Sequence, residues 1–123
     1  MITDFSLSVV IPVYLKTMDD KGILIKTIEK ILNITSDIIV ISQGLKPYFT
    51  NKNIKNFHSN FSLGKWNAVS CAKRFKLNNF IFIHDGDNPF KEESYKKISK
   101  FQSNTFVQRN EIIMFKGTTI LSI

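Results

Sequence analysis

The stretch from Phe80 to Phe90, FIFIHDGDNPF, constrains this chain most. Four apolar residues, Phe80 to Ile83, stop abruptly at His84-Asp85-Gly86-Asp87. A short apolar run bounded by turn formers predicts a buried strand. Asp85 and Asp87 then emerge where that strand ends, with Gly86 between them and Asn88-Pro89 closing the turn. Ligands of open α/β sheets gather at the carboxyl ends of strands. Two carboxylates there, one small residue apart, suit a hard divalent cation that also holds phosphate oxygens. The plainer alternative is a solvated acidic turn leading into the next helix.

Further runs of the same kind surround this one. Ser8 to Tyr14, SVVIPVY, predicts strand 1, with Pro12 at or near its end because Pro cannot donate to a sheet ladder. Leu15 to Asp20 reads as a loop in which Asp19 or Asp20 caps the next helix. Ile23, Leu24, Ile28, Ile31 and Leu32 follow helical spacing, which predicts an amphipathic helix over Lys21 to Leu32. Asp37 to Ile41 predicts a second strand, ending in a polar turn at Ser42-Gln43-Gly44. Ile54 to Ser59 is a short third strand with poor alternation. Leu63 to Lys76 and Ser94 to Phe101 read as helices, and Thr105 to Gln108, Ile112 to Phe115 and Thr118 to Ile123 as strands. Strands alternating with helices, and apolar runs that are continuous rather than alternating, predict an α/β fold. Its sheet is expected to be mostly parallel and flanked by helices on both faces. No repeat, low-complexity tract or linker interrupts the 123 residues, so the expectation is one domain over 1–123.

Composition narrows the function classes. Hydrophobic residues make up 43% and charged residues 22%, a globular rather than a disordered profile. No apolar stretch approaches the roughly 20 residues of a transmembrane helix. The start, MITDFSLSVVIPVY, lacks a basic n-region and a cleavage site, and the single Cys71 excludes an internal disulfide. These features lead to an expected cytoplasmic location. The net charge of +7 favours an anionic substrate or the anionic inner face of a membrane. Nucleic acid is not expected, since no compact basic run interleaved with aromatics occurs. A Gly-Lys at a helix start, Gly64-Lys65, is not a Walker motif, and no G-x-G-x-x-G follows strand 1. No nucleophile-elbow pattern appears either.

Three stretches together carry a resemblance: SVVIPVY at Ser8 to Tyr14, DIIVISQG at Asp37 to Gly44, and SLGKWNAVSCAKRFKLNNFIFIHDGD at Ser62 to Asp87. In order and spacing they resemble the N-terminal, nucleotide-sugar-binding half of family 2 glycosyltransferases, whose fold is the Rossmann-like GT-A fold. The resemblance implies transfer of a sugar from a nucleotide-sugar, a UDP-sugar by preference, to a saccharide, lipid or other hydroxyl acceptor. It implies that Asp85-Gly86-Asp87 is the Asp-x-Asp motif. Asp87 would bridge Mg²⁺ or Mn²⁺ to the donor diphosphate, with Asp85 contacting the ribose or the metal through water. Pro12 and Tyr14 would wall the base pocket and Gln43 would face the same crevice. Gly64 and Lys65 would open a helix toward the phosphates. Gly86 would give room for close backbone approach.

The chain departs from the family in two respects. Ser42 and Gln43 stand where one or two Asp usually bond the base and ribose; a Gln amide donates and accepts, so it can still pair with a uracil edge. The sequence also stops near Gly117-Thr118-Thr119, about where the acceptor half of such enzymes begins. This leaves three readings: a donor-binding half, a natural minimal version or a truncated product. It also leaves a non-catalytic nucleotide-binding or assembly module as the alternative, with a second copy covering the open sheet edge. A catalytic base is not assigned; Glu111 is the lone late carboxylate and nothing in the sequence positions it. His84 alternates with Asp85, so the two cannot point the same way along a strand, and a packed or hydrogen-bonded ring is expected. His58 has no partner visible in sequence.

Overall fold

The computed structural model describes residues 7–78, 80–86, 112–115 and 118–122. β1 (Leu7–Leu15), β2 (Ile38–Gly44), β3 (Ile54–Ser59) and β4 (Phe80–His84) run parallel. β6 (Thr118–Ser122) pairs antiparallel with β4, and β5 (Ile112–Phe115) antiparallel with β6. The sheet order is β3-β2-β1-β4-β6-β5. The α/β expectation holds for this four-stranded parallel sheet and its two helices. The expected helix over Ser94 to Phe101, the strand over Thr105 to Gln108, Asp87 and Glu111 lie outside the described residues.

Strand side chains alternate between faces, and β1 uses both. Leu7, Val9, Ile11, Val13 and Leu15 pack with Ile38, Val40 and Phe82 under α1 (Met18–Ile31). Val10 packs with Ile39, Ile41 and Ile83 under α2 (Lys65–Ser70) and its continuation. Burial on both faces explains why these strands read as unbroken apolar runs. Helix α1 contributes Leu24, Ile28 and Ile31 to its core; burying each such side chain stabilises the fold by about 1.5–3 kcal/mol.

Pro12 lies inside β1, not at its end, and the geometry explains why it is tolerated. The amide of Val9 points toward β2, donating to the Asp37 carbonyl at 2.9 Å. By alternation the position of the missing Pro12 N–H faces the β4 side, where β1–β4 pairing has already ended at Val10. Pro12 therefore removes no ladder bond.

Three other boundaries differ from expectation. Helix α1 begins at Met18 because Thr17, not Asp19 or Asp20, is the N-cap. Thr17 Oγ1 accepts from the Asp20 amide at 3.2 Å, and Asp20 Oδ2 accepts from the Thr17 amide at 3.0 Å, a reciprocal capping box. Strand β2 runs through Ser42 and Gln43 to Gly44, since β1 and β3 flank it that far: Val13 and His58 pair with Ser42, Tyr14 and Ser59 with Gln43. Helix α2 is only six residues long and tightens into a 3₁₀ turn over Cys71–Arg74. Ser70 Oγ donates to the Asn67 carbonyl at 2.8 Å, and Asn67 Nδ2 to the Leu63 carbonyl at 3.0 Å. Such side-chain bonds compete with the regular helical ladder.

The amino ends of the strands are tied by Asp37. Its carboxylate accepts from Ser8 Oγ, from Asn78 Nδ2 at 3.1 Å and from Lys55 Nζ at 3.2 Å. This polar clamp leaves the opposite, carboxyl end of the sheet for chemistry. No helix among the described residues is long and apolar enough to cross a membrane.

Candidate functional site

The strand order reverses direction between β1 and β4: the chain builds outward through β2 and β3, then returns to the far side of β1. In open α/β sheets a crevice forms at such a switch point, outside the carboxyl ends of the strands. A cleft of about 270 Å³ lies there, lined by Pro12, Val13, Tyr14, Gln43, Ser62, Gly64, Lys65 and Asp85. Its size is near the lower end of small-molecule sites. Six of the sequence candidates, Pro12, Tyr14, Gln43, Gly64, Lys65 and Asp85, thus meet in one place. Asp87 lies outside the described residues.

Four parts of the chain deliver the six: β1, the end of β2, the start of α2 and the turn after β4. Pro12 and Tyr14 lie in the carboxyl-terminal half of β1; Pro12 is buried and Tyr14 is 40% exposed at the rim. Gly44 allows the chain to turn beside them: its φ is +82°, and an added Cβ would fall 2.6 Å from the Leu15 carbonyl oxygen. Asp85 follows β4 directly. The turn that carries it is pinned by the Gly86 amide, which donates to the Pro12 carbonyl at 2.9 Å. A Cβ at Gly86 would sit 2.5 Å from Val13 Cβ, so only Gly lets the post-β4 turn lie against β1.

Gln43 is 4% exposed, and its amide is a strut. Nε2 donates to the Val13 carbonyl at 3.2 Å, and Oε1 accepts from the Leu63 amide at 2.7 Å. It therefore ties the loop before Gly64 to the end of β1. These two bonds leave one N–H and one acceptor position of the amide unused by them.

Lys65 and Asp85 form the only ion pair among the described residues at the cleft, with Nζ 3.2 Å from Oδ1 and 3.4 Å from Oδ2. The Lys65 ammonium also lies 5.3 Å from the Trp66 ring centroid. The brevity of α2 leaves little macrodipole to hold an anion, so the positive charge of this wall is Lys65 itself. Among the described residues no group of three or more His, Cys, Asp or Glu is gathered for a metal. The described donor set is one carboxylate, Asp85. That suits a cation held by one or two carboxylates plus substrate phosphates, and does not suit an all-protein cage.

Ser62 and Val13 line the cleft although sequence reading does not single them out. Ser62 sits two residues before Gly64, in the loop held by Gln43, which is the signal that points to it. Two histidines resolve as structural groups. His84 is buried at 2% exposure, with its ring 6.5 Å from that of Phe82. His58 does have a partner, Ser42, whose Oγ lies 2.8 Å from Nδ1 while accepting from Asn56 Nδ2 at 3.1 Å. Ser42 is fully buried, which removes it as a nucleophile. Cys71 is half-buried against the α2-side core. The Asn67 side chain, in α2, is engaged by the Leu63 carbonyl, and Trp66 is exposed beside the cleft.

No protein-family model matches the chain, and comparison with curated proteins returns no match either.

Proposed function

We propose that this chain is the donor-binding domain of a GT-A-type, Rossmann-like glycosyltransferase, taking a nucleotide-sugar with a UDP-sugar as first choice. The observation that carries the reading is the cleft at the strand-order reversal, where Pro12, Tyr14, Gln43, Gly64, Lys65 and Asp85 converge. Tyr14, half-exposed at the rim, offers a ring on which a base can stack. The spare N–H and acceptor of Gln43 lie deeper, where a pyrimidine edge would be read. Lys65 presents an ammonium to a diphosphate. Asp85, with Asp87 beside it in sequence, would hold Mg²⁺ or Mn²⁺ against the same phosphates. When bound, that ion would neutralise charge developing on the leaving nucleoside diphosphate. The acceptor is a hydroxyl compound that the described residues do not specify.

A second reading, a nucleotide-binding module without transfer activity, is favoured by one feature. Asp85 is the sole carboxylate lining the cleft among the described residues, and Lys65 already neutralises it. No general base is therefore assigned.

Titration calorimetry with UDP and GDP, each with and without Mn²⁺, tests both readings. Binding of one nucleotide that strengthens with Mn²⁺ and loses that dependence in Asp87→Ala supports the donor site. Absence of any nucleoside diphosphate binding in the presence of Mn²⁺ would sink it. Binding without sugar-donor turnover across hydroxyl acceptors favours the module.

A further inference from the structure

Among the described residues, seven large hydrophobic side chains are exposed: Tyr14, Met18, Ile25, Leu45, Tyr48, Phe61 and Trp66. All but Ile25 lie near the carboxyl end of a parallel strand, just after it, or in the first residues of the next helix. Met18 starts α1 just after β1. Leu45 and Tyr48 follow β2, and Phe61 follows β3. Phe61, Tyr48 and Met18 are 78%, 79% and 71% exposed, values at which core packing contributes little. Apolar side chains concentrated on one end of a small domain mark an interaction surface.

The same end carries lysines laid over its rings. Lys16 Nζ is 5.5 Å from the Tyr14 centroid, Lys21 Nζ 5.9 Å from that of Tyr48, and Lys65 Nζ 5.3 Å from that of Trp66. Among the described residues, three acidic groups lie at this end. Asp19 is exposed in the first turn of α1, Asp20 is engaged by the Lys16 and Thr17 amides, and Asp85 is paired with Lys65.

We infer that this end of the molecule docks on an anionic lipid surface. Met18, Tyr48 and Phe61 enter the boundary between headgroups and acyl chains, and Lys16 and Lys21 meet the lipid phosphates. Tyr and Trp suit that depth because one part of each ring is apolar and the other wet. Lysine stems lie along apolar surface while their ammonium groups reach outward. Each lysine near an anionic bilayer adds attraction that salt screens. A protein partner fits less well, because protein–protein interfaces are depleted in Lys. A neutral saccharide would give Lys16 and Lys21 nothing to meet. The chain's net charge of +7 acts in the same direction. The cleft opens among these residues, so docking would set it against the bilayer.

Trp66 is the single tryptophan of the chain and 57% exposed, so its emission reports this face alone. The full chain is titrated with vesicles of phosphatidylcholine, and of phosphatidylcholine with one third phosphatidylglycerol, at low and high salt. The expected result is a blue shift with the anionic vesicles only, reversed by salt. Lys16→Gln/Lys21→Gln should weaken that partition by about tenfold. Met18→Ser/Tyr48→Ser/Phe61→Ser should weaken it at least as much, with circular dichroism unchanged and soluble UDP binding unaltered. Four results would overturn the inference: no shift with anionic vesicles, equal shift with neutral ones, retained partition in both variants, or a shift with soluble oligosaccharide but not with lipid.

Discussion

Gly86 and Pro12 are joined across two parallel strands: the Gly86 amide donates to the Pro12 carbonyl at 2.9 Å. The bond brings the turn after β4 over the end of β1 so closely that no side chain fits at Gly86. A Cβ there would lie 2.5 Å from Val13 Cβ, 2.7 Å from its Cγ2 and 3.0 Å from Ile11 Cγ2. Both neighbours belong to the buried core under α1 and cannot swing aside. Gly86→Ala should therefore destabilise the fold by about 1–3 kcal/mol, the usual cost of overpacking. Urea denaturation measures this. A midpoint equal to that of the parent protein would show that the turn does not lie against Val13.

The sheet is legible in the sequence because its physics is local. Continuous apolar runs at Ser8 to Tyr14, Asp37 to Ile41 and Phe80 to Ile83 become buried parallel strands, and even the poorly alternating Ile54 to Ser59 is β3. The convergence of the strand-end turns is legible too, since parallel strands share one carboxyl end. Long-range pairing is what escapes. Whether Ser42 and Gln43 turn or stay in β2 depends on how far β1 and β3 reach, which no local pattern records. The partner of His58 is Ser42, on another strand. The room that Gly86 needs is readable as a need for Gly, but that Val13 occupies the space is not. Thr17 is different: its capping box with Asp20 is a local pattern, readable in the sequence as T-x-x-D.

Gln43 couples the floor of the cleft to its wall. Replacing it by Leu keeps the volume, removes the side-chain bond to the Val13 carbonyl, which keeps its place in the β1–β2 ladder, and strands the Leu63 amide. Leaving buried polar groups unpaired costs about 1–3 kcal/mol. The loss should be concentrated in the Ser62–Lys65 loop, seen as faster hydrogen exchange at the Leu63 amide. Gln43→Glu discriminates further: it can still accept from Leu63 but no longer donates to Val13. Exchange at Leu63 should remain slow in that variant while global stability falls.

The Lys65–Asp85 pair should contribute little to stability. Their side chains are 36% and 23% exposed, so solvent screens the pair, and Lys65→Met should change unfolding free energy by no more than about 0.5 kcal/mol. If the cleft holds a nucleoside diphosphate, the same change removes a charged donor and should weaken UDP about tenfold or more. Asp85→Asn acts oppositely. It frees the ammonium for phosphate, so metal-free UDP binding should hold or improve while the gain on adding Mn²⁺ shrinks. Calorimetry on both variants reads the two effects; parallel losses would mean that Lys65 and Asp85 serve only each other.

Acid should loosen the start of α1 before the rest of the fold. The Lys16 amide, then the Thr17 amide, donates to Asp20 Oδ2, and these bonds hold the Asp20 carboxyl below its ordinary value of 3.8. A carboxylate whose folded pKa is depressed binds fewer protons in the folded state than in the unfolded state. Its stabilising effect is therefore complete above the unfolded value and is lost as pH falls through the folded one. Melting temperature followed downward from pH 5 should drop over that window, and the drop should be smaller in Asp20→Asn, which cannot titrate. Thr17→Ala removes the reciprocal half of the box and should cost about 1 kcal/mol at neutral pH. The two substitutions together should lose less than the sum of their separate effects, because each breaks a bond that orients the other's partner. Strict additivity in the double-mutant cycle would show that Thr17 and Asp20 cap the helix independently.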